Sequence, residues 1–400
     1  MNQVFLSDVY WFQEGPGVRN WQFKDSGIKL LNVANITKQG KIDLDKTDRH
    51  LSTEEVDSKY QHFLIDEGDL VIASSGITND EDNLLRTKIA FIEKQHLPLC
   101  LNTSTIRFKA KDGVSDLSFL RHWLNSLEFR QQITKEVTGI AQKNFGPSHL
   151  KKIKISLPQL AEQRRIASIL NQVDALRPKR QQAIEQLDQL LQATFIDMFG
   201  DPVSNPKGWD KDELQNICKQ VIDCPHSTPT WGNEGIICLR TSNLGKGEWI
   251  WDDTRYVSPV EYKERTKRSE IFAGDIILSR EGTVGIAAIV PNDLKLSLGQ
   301  RLVQLTPRLD KINSEFLLQV LLYDLDPIRI SSLMVGSTSK HINVKDLRAL
   351  KLFVPPMELQ NKFCVISSRI FEQKKDLKAS LSNIDNLFNS LQNQAFNGTL

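Results

Sequence analysis

The residues best suited to chemistry lie in loops that follow apolar, strand-like segments. These loops carry arginine, asparagine, glutamine, lysine and small hydroxyl residues. Arginine, asparagine and glutamine can make paired hydrogen bonds to base edges in the major groove, and lysine can hold phosphates. The candidates are Asn35, Lys38, Ser74, Gln142, Lys143 and Asn144 in the first half, and Arg240, Asn243, Ser279, Arg280, Thr338, Lys340 and His341 in the second.

Each candidate taken alone is explained as simply by a solvated surface loop. The two sets, however, occupy corresponding places in the two halves of the chain, and this correspondence favours a common role in binding double-stranded DNA. Global charge adds no support, because the formal net charge is only +2. Any basic surface must therefore be local.

The chain lacks the sequence patterns of an autonomous enzyme. It has no Gly-x-x-x-x-Gly-Lys-Ser/Thr loop for ATP and no Gly-x-Gly-x-x-Gly after a strand. The segment 354–357, Val-Pro-Pro-Met, lacks the polar first residue of an amino-methyltransferase motif. A metal site at Cys224 and His226 would need two further ligands, and none are evident. We therefore predict a binding or scaffolding protein without a metal or cofactor of its own.

The elements that position these loops are those of a multidomain protein. A chain of 400 residues usually contains two or more domains. No apolar run approaches the ~18 residues of a membrane span, and the first residues do not resemble a secretion signal. The five cysteines are odd in number and not in Cys-x-x-Cys spacing, which favours reduced thiols. We expect a cytoplasmic protein without membrane contact.

An internal repeat organises the sequence. Leu157-Pro158-Gln159-Leu160-Ala161-Glu162-Gln163 returns as Val354-Pro355-Pro356-Met357-Glu358-Leu359-Gln360, 197 residues later. The same spacing relates Leu190 to Leu387 and Phe199 to Phe396. In the globular parts the spacing is larger, about 208 residues at the start, so those parts differ by loop insertions. The repeat predicts two copies of one architecture.

Each repeat motif leads into a long helical segment. Apolar residues recur there at near-heptad spacing, which is typical of coiled-coil or bundle helices. We predict that the two segments pair antiparallel; the alternative is that each packs within its own half. Pro178 should interrupt the first helix near Arg177. The residues expected to pair the helices or dock partners are Ile166, Leu170, Val173, Leu187, Leu191, Ile366, Ile370, Leu377, Ile384 and Leu391.

The globular halves show matching orders of mixed elements. In the first, we predict a strand at 29–36, a short helix at 53–60, a hairpin from 63–65 and 70–73, and a helix at 118–134. In the second, we predict strands at 236–244 and 272–278 and a helix at 314–325. The fold class is therefore α+β, with target-recognition domains at 1–157 and 200–354 and helical spacers at 158–199 and 355–400.

This combination resembles the specificity subunit of type I restriction-modification systems, over nearly the whole chain. The resemblance rests on residues 157–166 with the helix that follows, on 354–360 and on the terminal 395–398. Residues 274–282 and 223–229 also fit the family's pattern. The order strand, proline, helix, repeated twice, is its most specific part.

The resemblance implies two target-recognition domains that each read a few base pairs of one half-site. Because the two halves differ in sequence, we predict a gapped, non-palindromic target. If each domain approaches the major groove from one face, the half-sites should lie about one helical turn (~34 Å) apart. The resemblance also implies docking of two modification subunits, which supply S-adenosylmethionine and adenine methylation, and of restriction subunits, which use ATP and Mg²⁺. The chain itself would be non-catalytic. The first copy departs from the pattern, because Ala73-Ser74-Ser75-Gly76 has no arginine matching Arg280. The second departs by lacking the Ala-Glu-Gln triplet of 161–163.

Three other functions are compatible with the sequence. A methyltransferase or nuclease acting alone would transfer or cleave without a partner. A coiled-coil adaptor would use its globular halves to bind proteins rather than DNA. An orphan family member would serve a system that only modifies DNA.

Overall fold

The computed structural model describes residues 3–80, 83–137, 143–325 and 341–400. The chain forms two compact units. Unit 1 comprises Met1–Gln181 and Ala379–Leu400, and unit 2 comprises Gln182–Lys378. Each unit therefore contains one globular half together with part of both helical segments.

The described part of unit 1 contains eleven strands, and four of them form its main sheet. The strands are β1 (Gln3–Phe5), β2 (Tyr10–Glu14), β3 (Ile28–Leu31), β4 (His50–Leu51), β5 (Leu70–Ala73), β6 (Thr78–Asn79), β7 (Leu85–Arg86), β8 (Ile89–Phe91), β9 (Leu99–Leu101), β10 (Thr105–Ala110) and β11 (Lys154–Ser156). The main sheet has the order β2-β10-β5-β8, and β3 lies between β4 and β9 in a second sheet. β1 pairs with β11, and β6 pairs with β7.

The helices of unit 1 bury their apolar faces on this sheet and on each other. They are α1 (Leu6–Val9), α2 (Thr53–Glu55), α3 (Leu117–Leu124), α4 (Leu127–Glu136), α5 (Pro147–Leu150), α6 (Leu160–Asp174) and the first turns of α7 (Leu176–Phe199). Phe119 and Trp123 of α3 are buried together with Ile166 and Leu170 of α6. The first helical segment thus packs on its own globular half.

Unit 2 repeats the topology of unit 1. Its strands are β12 (Lys211–Glu213), β13 (Cys218–Asp223), β14 (Ile236–Leu239), β15 (Tyr256–Val257), β16 (Ile276–Ser279), β17 (Ala287–Ile289), β18 (Leu296–Leu298), β19 (Leu302–Pro307) and β20 (Lys351–Phe353). Its helices are α8 (Leu214–Ile217), α9 (Pro259–Arg265), α10 (Ser314–Asp324), α11 (Val344–Arg348) and α12 (Met357–Asn397), the last shared with unit 1. The orders β13-β19-β16-β17, β15-β14-β18 and β12-β20 match the three corresponding sheets of unit 1. The predicted duplication is confirmed.

The two helical segments run antiparallel inside each unit, as predicted. In unit 1, Arg177 Nε lies 2.6 Å from Asp385 Oδ1, and Arg165 Nη2 donates to Leu400 O over 2.9 Å. The numbering rises along one helix while it falls along the other. In unit 2, the Phe195 and Phe363 rings meet edge to face with centroids 5.5 Å apart. Each globular half is thus packed against both helical segments.

Most of the predicted stripe residues are buried or partly buried. In unit 1, Ile166, Leu170, Val173, Leu391 and Ile384 face inward, and in unit 2 Leu187, Leu191, Ile370 and Leu377 do so. Ile366 does not pair the helices, because its side chain is 37% exposed, and its predicted alternative role in docking a partner stays a prediction. The buried face of α12 contains Phe363, Ser367 and Ile370, which follow one another at intervals of four and three residues, as expected for an α-helix. Ile366 lies beside this face and is exposed.

A break separates α6 from α7 at Ala175, two residues before the predicted site. Pro178 lies in the first turn of α7, where backbone N–H groups have no partner within the helix. Its missing N–H therefore costs the helix nothing there. The interruption predicted from Pro178 is confirmed, and the proline begins the new helix rather than kinking an old one.

A buried glutamine fixes the start of each helical segment. Gln163 Oε1 accepts from Asp116 N over 2.9 Å, and its Nε2 donates to the carbonyls of Val114 and Pro158. Gln360 makes the equivalent bonds in unit 2, accepting from Asn313 N and donating to the carbonyls of Lys311 and Pro355. The second copy has therefore lost the Ala and Glu of the triplet but keeps its glutamine.

Several predicted element boundaries change in the structure. The strands expected at 29–36 and 236–244 end at Leu31 and Leu239, where the chain turns into 3-10 helices. The hairpin of 63–65 with 70–73 is wrong, because β5 pairs with β8 and β10 instead. The helix expected at 118–134 is two helices, since Ser126 caps the second by accepting from Phe129 N.

Candidate nucleic-acid interface

The topology of unit 2 brings two strand ends to one edge of the main sheet. β13 and β16 both pair antiparallel with β19, so they run parallel to each other and end on the same side. Asp223 is the last residue of β13, and Arg280 directly follows β16. Arg280 Nε lies 2.9 Å from Asp223 Oδ1, and its Nη2 lies 3.2 Å from Oδ2. A bidentate ion pair therefore links the two strand ends.

The loop after β13 is held by two further donors. The guanidinium of Arg265 is almost completely buried and donates to the carbonyls of Ser227 (3.2 Å) and Pro225 (3.5 Å). Gln300 Nε2 donates to His226 O over 2.7 Å. Because the backbone carbonyl groups of this loop point inward to these donors, the side chains of the loop can face solvent. The side chain of His226 is 72% exposed.

Other charged residues surround this ion pair. His226 Nε2 lies 3.4 Å from Asp223 Oδ2, and Arg301 Nε lies 3.4 Å from Glu281 Oε1. Glu281 bridges to His341 through the backbone, and Ile342 N donates to Arg280 O. These contacts unite four separate segments into what we call the strand-end cluster, which consists of Asp223, His226, Arg280, Glu281, Gln300, Arg301 and His341.

Unit 1 has the same backbone arrangement but different side chains. Glu14 ends β2 opposite Ile106, as Asp223 ends β13 opposite Val303. Ser74 stands at the place of Arg280, because its backbone bonds Ser104 O and Phe145 N as that of Arg280 bonds Arg301 O and Ile342 N. In the described part of the chain, no arginine therefore pairs with Glu14. Burial therefore raises the pKa of the Glu14 carboxyl above its usual value.

Four predicted interface residues are buried, and their assignment to base contacts is corrected. Asn35 accepts from Asn32 N (2.9 Å) and donates to Asp43 O (2.9 Å). Asn243 makes the equivalent bonds, to Arg240 N and to Ile250 O. The side chains of Ser74 and Ser279 are also buried, at 1% and 0% exposure. These side chains shape the loops and are not available to DNA.

The remaining predicted residues differ in their surroundings. Lys38 and Asn144 are exposed. Lys143 Nζ donates to Asn79 Oδ1 over 3.1 Å, and Arg240 Nη2 forms an ion pair with Asp253. Arg280 and His341 belong to the strand-end cluster. The predicted residues outside the described part of the chain are Gln142, Thr338 and Lys340.

Sequence reasoning missed the residues that organise the site. Asp223 lay in a recognised segment, but nothing in the sequence indicated that Arg280, 57 positions later, would reach it. Arg265 and Gln300 were missed for the same reason, since both act on a loop that is distant in sequence. The presence of acidic and basic residues directly after matching strands was the available signal.

Two further findings bear on the sequence predictions. Among the described residues, no three His, Cys, Asp or Glu side chains come together in a way that would hold a metal ion. Cys224 is buried, and burial raises the pKa of its thiol. No helix in the described ranges is both long and apolar enough to cross a membrane.

The two halves of the chain match the same family of known proteins. The family model of the type I restriction modification DNA specificity domain matches residues 4–186 and again 206–394. The chain therefore belongs to the type I restriction-modification DNA specificity family. The two matches cover nearly all of both repeats.

Relatives in this family span most of the chain. The MjaVIII specificity subunit of Methanocaldococcus jannaschii is 24% identical, over 82% of this chain and 74% of its own length. The EcoKI specificity subunit of Escherichia coli K12 is 24% identical, over 94% of this chain and 83% of its own length. The solved S subunit from M. genitalium has a TM-score of 0.58 at 16% identity and covers 99% of this chain and 96% of its own, so it shares the fold.

Proposed function

We propose that this chain is the non-catalytic reader of a bipartite DNA target, with each unit recognising one half-site. The observation that carries the proposal is the pair of matching strand ends with different side chains. Asp223 and Arg280 occupy one, and Glu14 and Ser74 occupy the other. Two units with the same backbone arrangement but different hydrogen-bond donors and acceptors would recognise different base sequences. The expected target is therefore gapped and non-palindromic.

We further propose that partner subunits supply the chemistry. Modification subunits would bring S-adenosylmethionine and methylate adenine, and restriction subunits would bring the ATP-driven and cleavage steps. Support comes from membership of a family whose relatives are called specificity subunits. Exposed apolar side chains occur at equivalent sequence positions of the two helical segments, such as Leu190 (51%) and Leu387 (49%), and would give two modification subunits similar surfaces to bind.

Sequencing of methylated adenine tests this proposal. The chain is expressed with its own modification subunit in cells without adenine methylation, and the modification subunit alone serves as the control. We expect methylation at a two-part motif with an undefined gap, and only when the chain is present. A continuous motif, a palindromic motif or methylation independent of the chain would refute the proposal.

A second assay separates the rival functions. The purified chain is incubated with DNA and labelled S-adenosylmethionine without a partner, and methyl transfer in that reaction would establish a stand-alone enzyme. A gel shift of the complex with target and scrambled DNA, at low and moderate salt, separates a DNA reader from a protein adaptor. A reader should show selective binding that weakens as salt rises.

A further inference from the structure

The buried arginines differ in how many of their guanidinium N–H donors form hydrogen bonds within the protein. Arg107 donates from all three side-chain nitrogens, to Gln13, to Asp69 and to the carbonyls of Leu64 and His62. Every side-chain nitrogen of Arg265 also donates to protein oxygens. Such saturated guanidinium groups hold loops together and have no donors left for a ligand.

Arg280 is held differently. Its Nε and Nη2 bind Asp223, which uses one edge of the planar guanidinium. Its Nη1 makes no hydrogen bond to any residue in the described ranges. A guanidinium carries five N–H donors, so three remain after two are given to a carboxylate. The remaining edge, formed by Nη1 and the second hydrogen of Nη2, is the fork that fits two adjacent acceptors.

The position of this fork is fixed by the fold. Asp223 terminates a strand of the main sheet, and the loop behind it is held by Arg265 and Gln300. The backbone of Arg280 is fixed as well, since its N–H donates to Arg301 O over 3.0 Å. A donor pair that is already oriented loses little side-chain entropy when it binds. The arrangement therefore favours selective recognition over simple charge attraction.

We propose that Arg280 reads a guanine in the half-site of unit 2, through its free edge to O6 and N7, and that Asp223 is the positioning residue that holds it. This inference rests on the proposed function. Guanine presents these two acceptors side by side in the major groove, and arginine is the residue that commonly meets them. Unit 1 has Ser74 at this place, so its half-site should be read without an equivalent arginine.

The test measures methylation on a plasmid library in which each position of the wild-type target is varied in turn. The complexes compared contain the wild-type chain, Arg280→Lys or Asp223→Asn. We expect wild type to require a G·C pair at one position. Arg280→Lys keeps the charge but loses the fork, and should reduce discrimination there by roughly 5- to 150-fold. Asp223→Asn should relax the same position by a smaller factor.

Two matched controls accompany these variants. Arg268→Lys changes an exposed arginine of unit 2 outside the strand-end cluster, and Ser74→Ala changes the place in unit 1 that is equivalent to Arg280. Neither should alter the preference at that position. Thermal unfolding of each complex separates loss of folding from loss of reading. The inference is overturned if Arg280→Lys leaves the motif unchanged, or if it weakens all positions equally, which would indicate a phosphate contact. A wild-type complex without a gapped motif would instead refute the proposed function.

Discussion

Replacing the buried glutamine at the start of either helical segment should loosen one unit and spare the other. Gln163 and Gln360 are completely buried, and each makes three hydrogen bonds to backbone groups of its own unit. Leucine has a similar size but no polar atoms. Gln163→Leu therefore leaves an N–H and two carbonyl groups without these partners in unit 1, and Gln360→Leu does the same in unit 2.

The expected cost follows from the number of groups left unpaired. A buried backbone group without a hydrogen bond costs about 1–3 kcal/mol. Water can reach some of the carbonyls, because Val114 and Lys311 lie at the surface. We therefore expect each substitution to lower the opening free energy of its unit by about 2–4 kcal/mol. This change corresponds to a roughly 30- to 700-fold faster hydrogen exchange of protected amides.

Hydrogen exchange measured by mass spectrometry suits this prediction, because peptides report on each unit separately. A chain of two units does not give a single unfolding free energy. Peptides from α3 should exchange faster in Gln163→Leu, and peptides from α10 should do so in Gln360→Leu. Each variant is the control for the other. Gln172→Leu, at an exposed position of α6, controls for the change of residue type.

Two results would refute the reasoning. If Gln163→Leu exchanges no faster than Gln172→Leu, the three hydrogen bonds do not stabilise unit 1. If both units loosen together in either single variant, the glutamine does not act locally.

Two further predictions concern the cores. Burial lowers the pKa of His122 to about 4, against about 6.5 in an unfolded chain, so unit 1 should keep full stability above pH 6.5 and lose about 3 kcal/mol as the pH falls to 4. Amide exchange in α3 against pH measures this loss, and His122→Asn should flatten the profile; an unchanged slope would contradict the assignment. Phe363→Ala should destabilise unit 2 by about 3–5 kcal/mol, because Phe363 is fully buried against Phe195 and Phe199. Val365→Ala, at a 55% exposed position of the same helix, should change stability by less than about 0.5 kcal/mol, and equal effects would argue against this core.

Much of the architecture could be predicted because its signals are local or periodic. The spacing of 197 residues between Pro158 and Pro355 revealed the duplication, and near-heptad spacing revealed the helices. The hairpin at 63–73 failed because strand pairing depends on distant partners. β5 found its neighbours in β8 and β10, and no local pattern specifies such a choice.

The candidate site was predicted only in outline. The loops after β13 and β16 do meet in the structure, and the predicted residues Arg280 and His341 both lie in the strand-end cluster. Their contact with DNA stays a prediction. Asn35 and Asn243 failed because a polar residue after a strand can either face solvent or close the turn. The side-chain amides of Asn35 and Asn243 close the turn, because they form hydrogen bonds with its backbone. Sequence type alone does not distinguish these two fates.

The sequence by itself determined that the chain is double, that its helices pair, and that the first globular half has no arginine to match Arg280 of the second. Only the tertiary structure decided how the repeats share their elements. Phe199 ends the first helical segment but packs on Phe316 in unit 2, and Phe396 ends the second but packs on Phe119 in unit 1. The physical reason is that two antiparallel helices bring the end of one beside the start of the other. In each unit, the aromatic side chain near the end of one helix is therefore buried against the globular half that precedes the other helix.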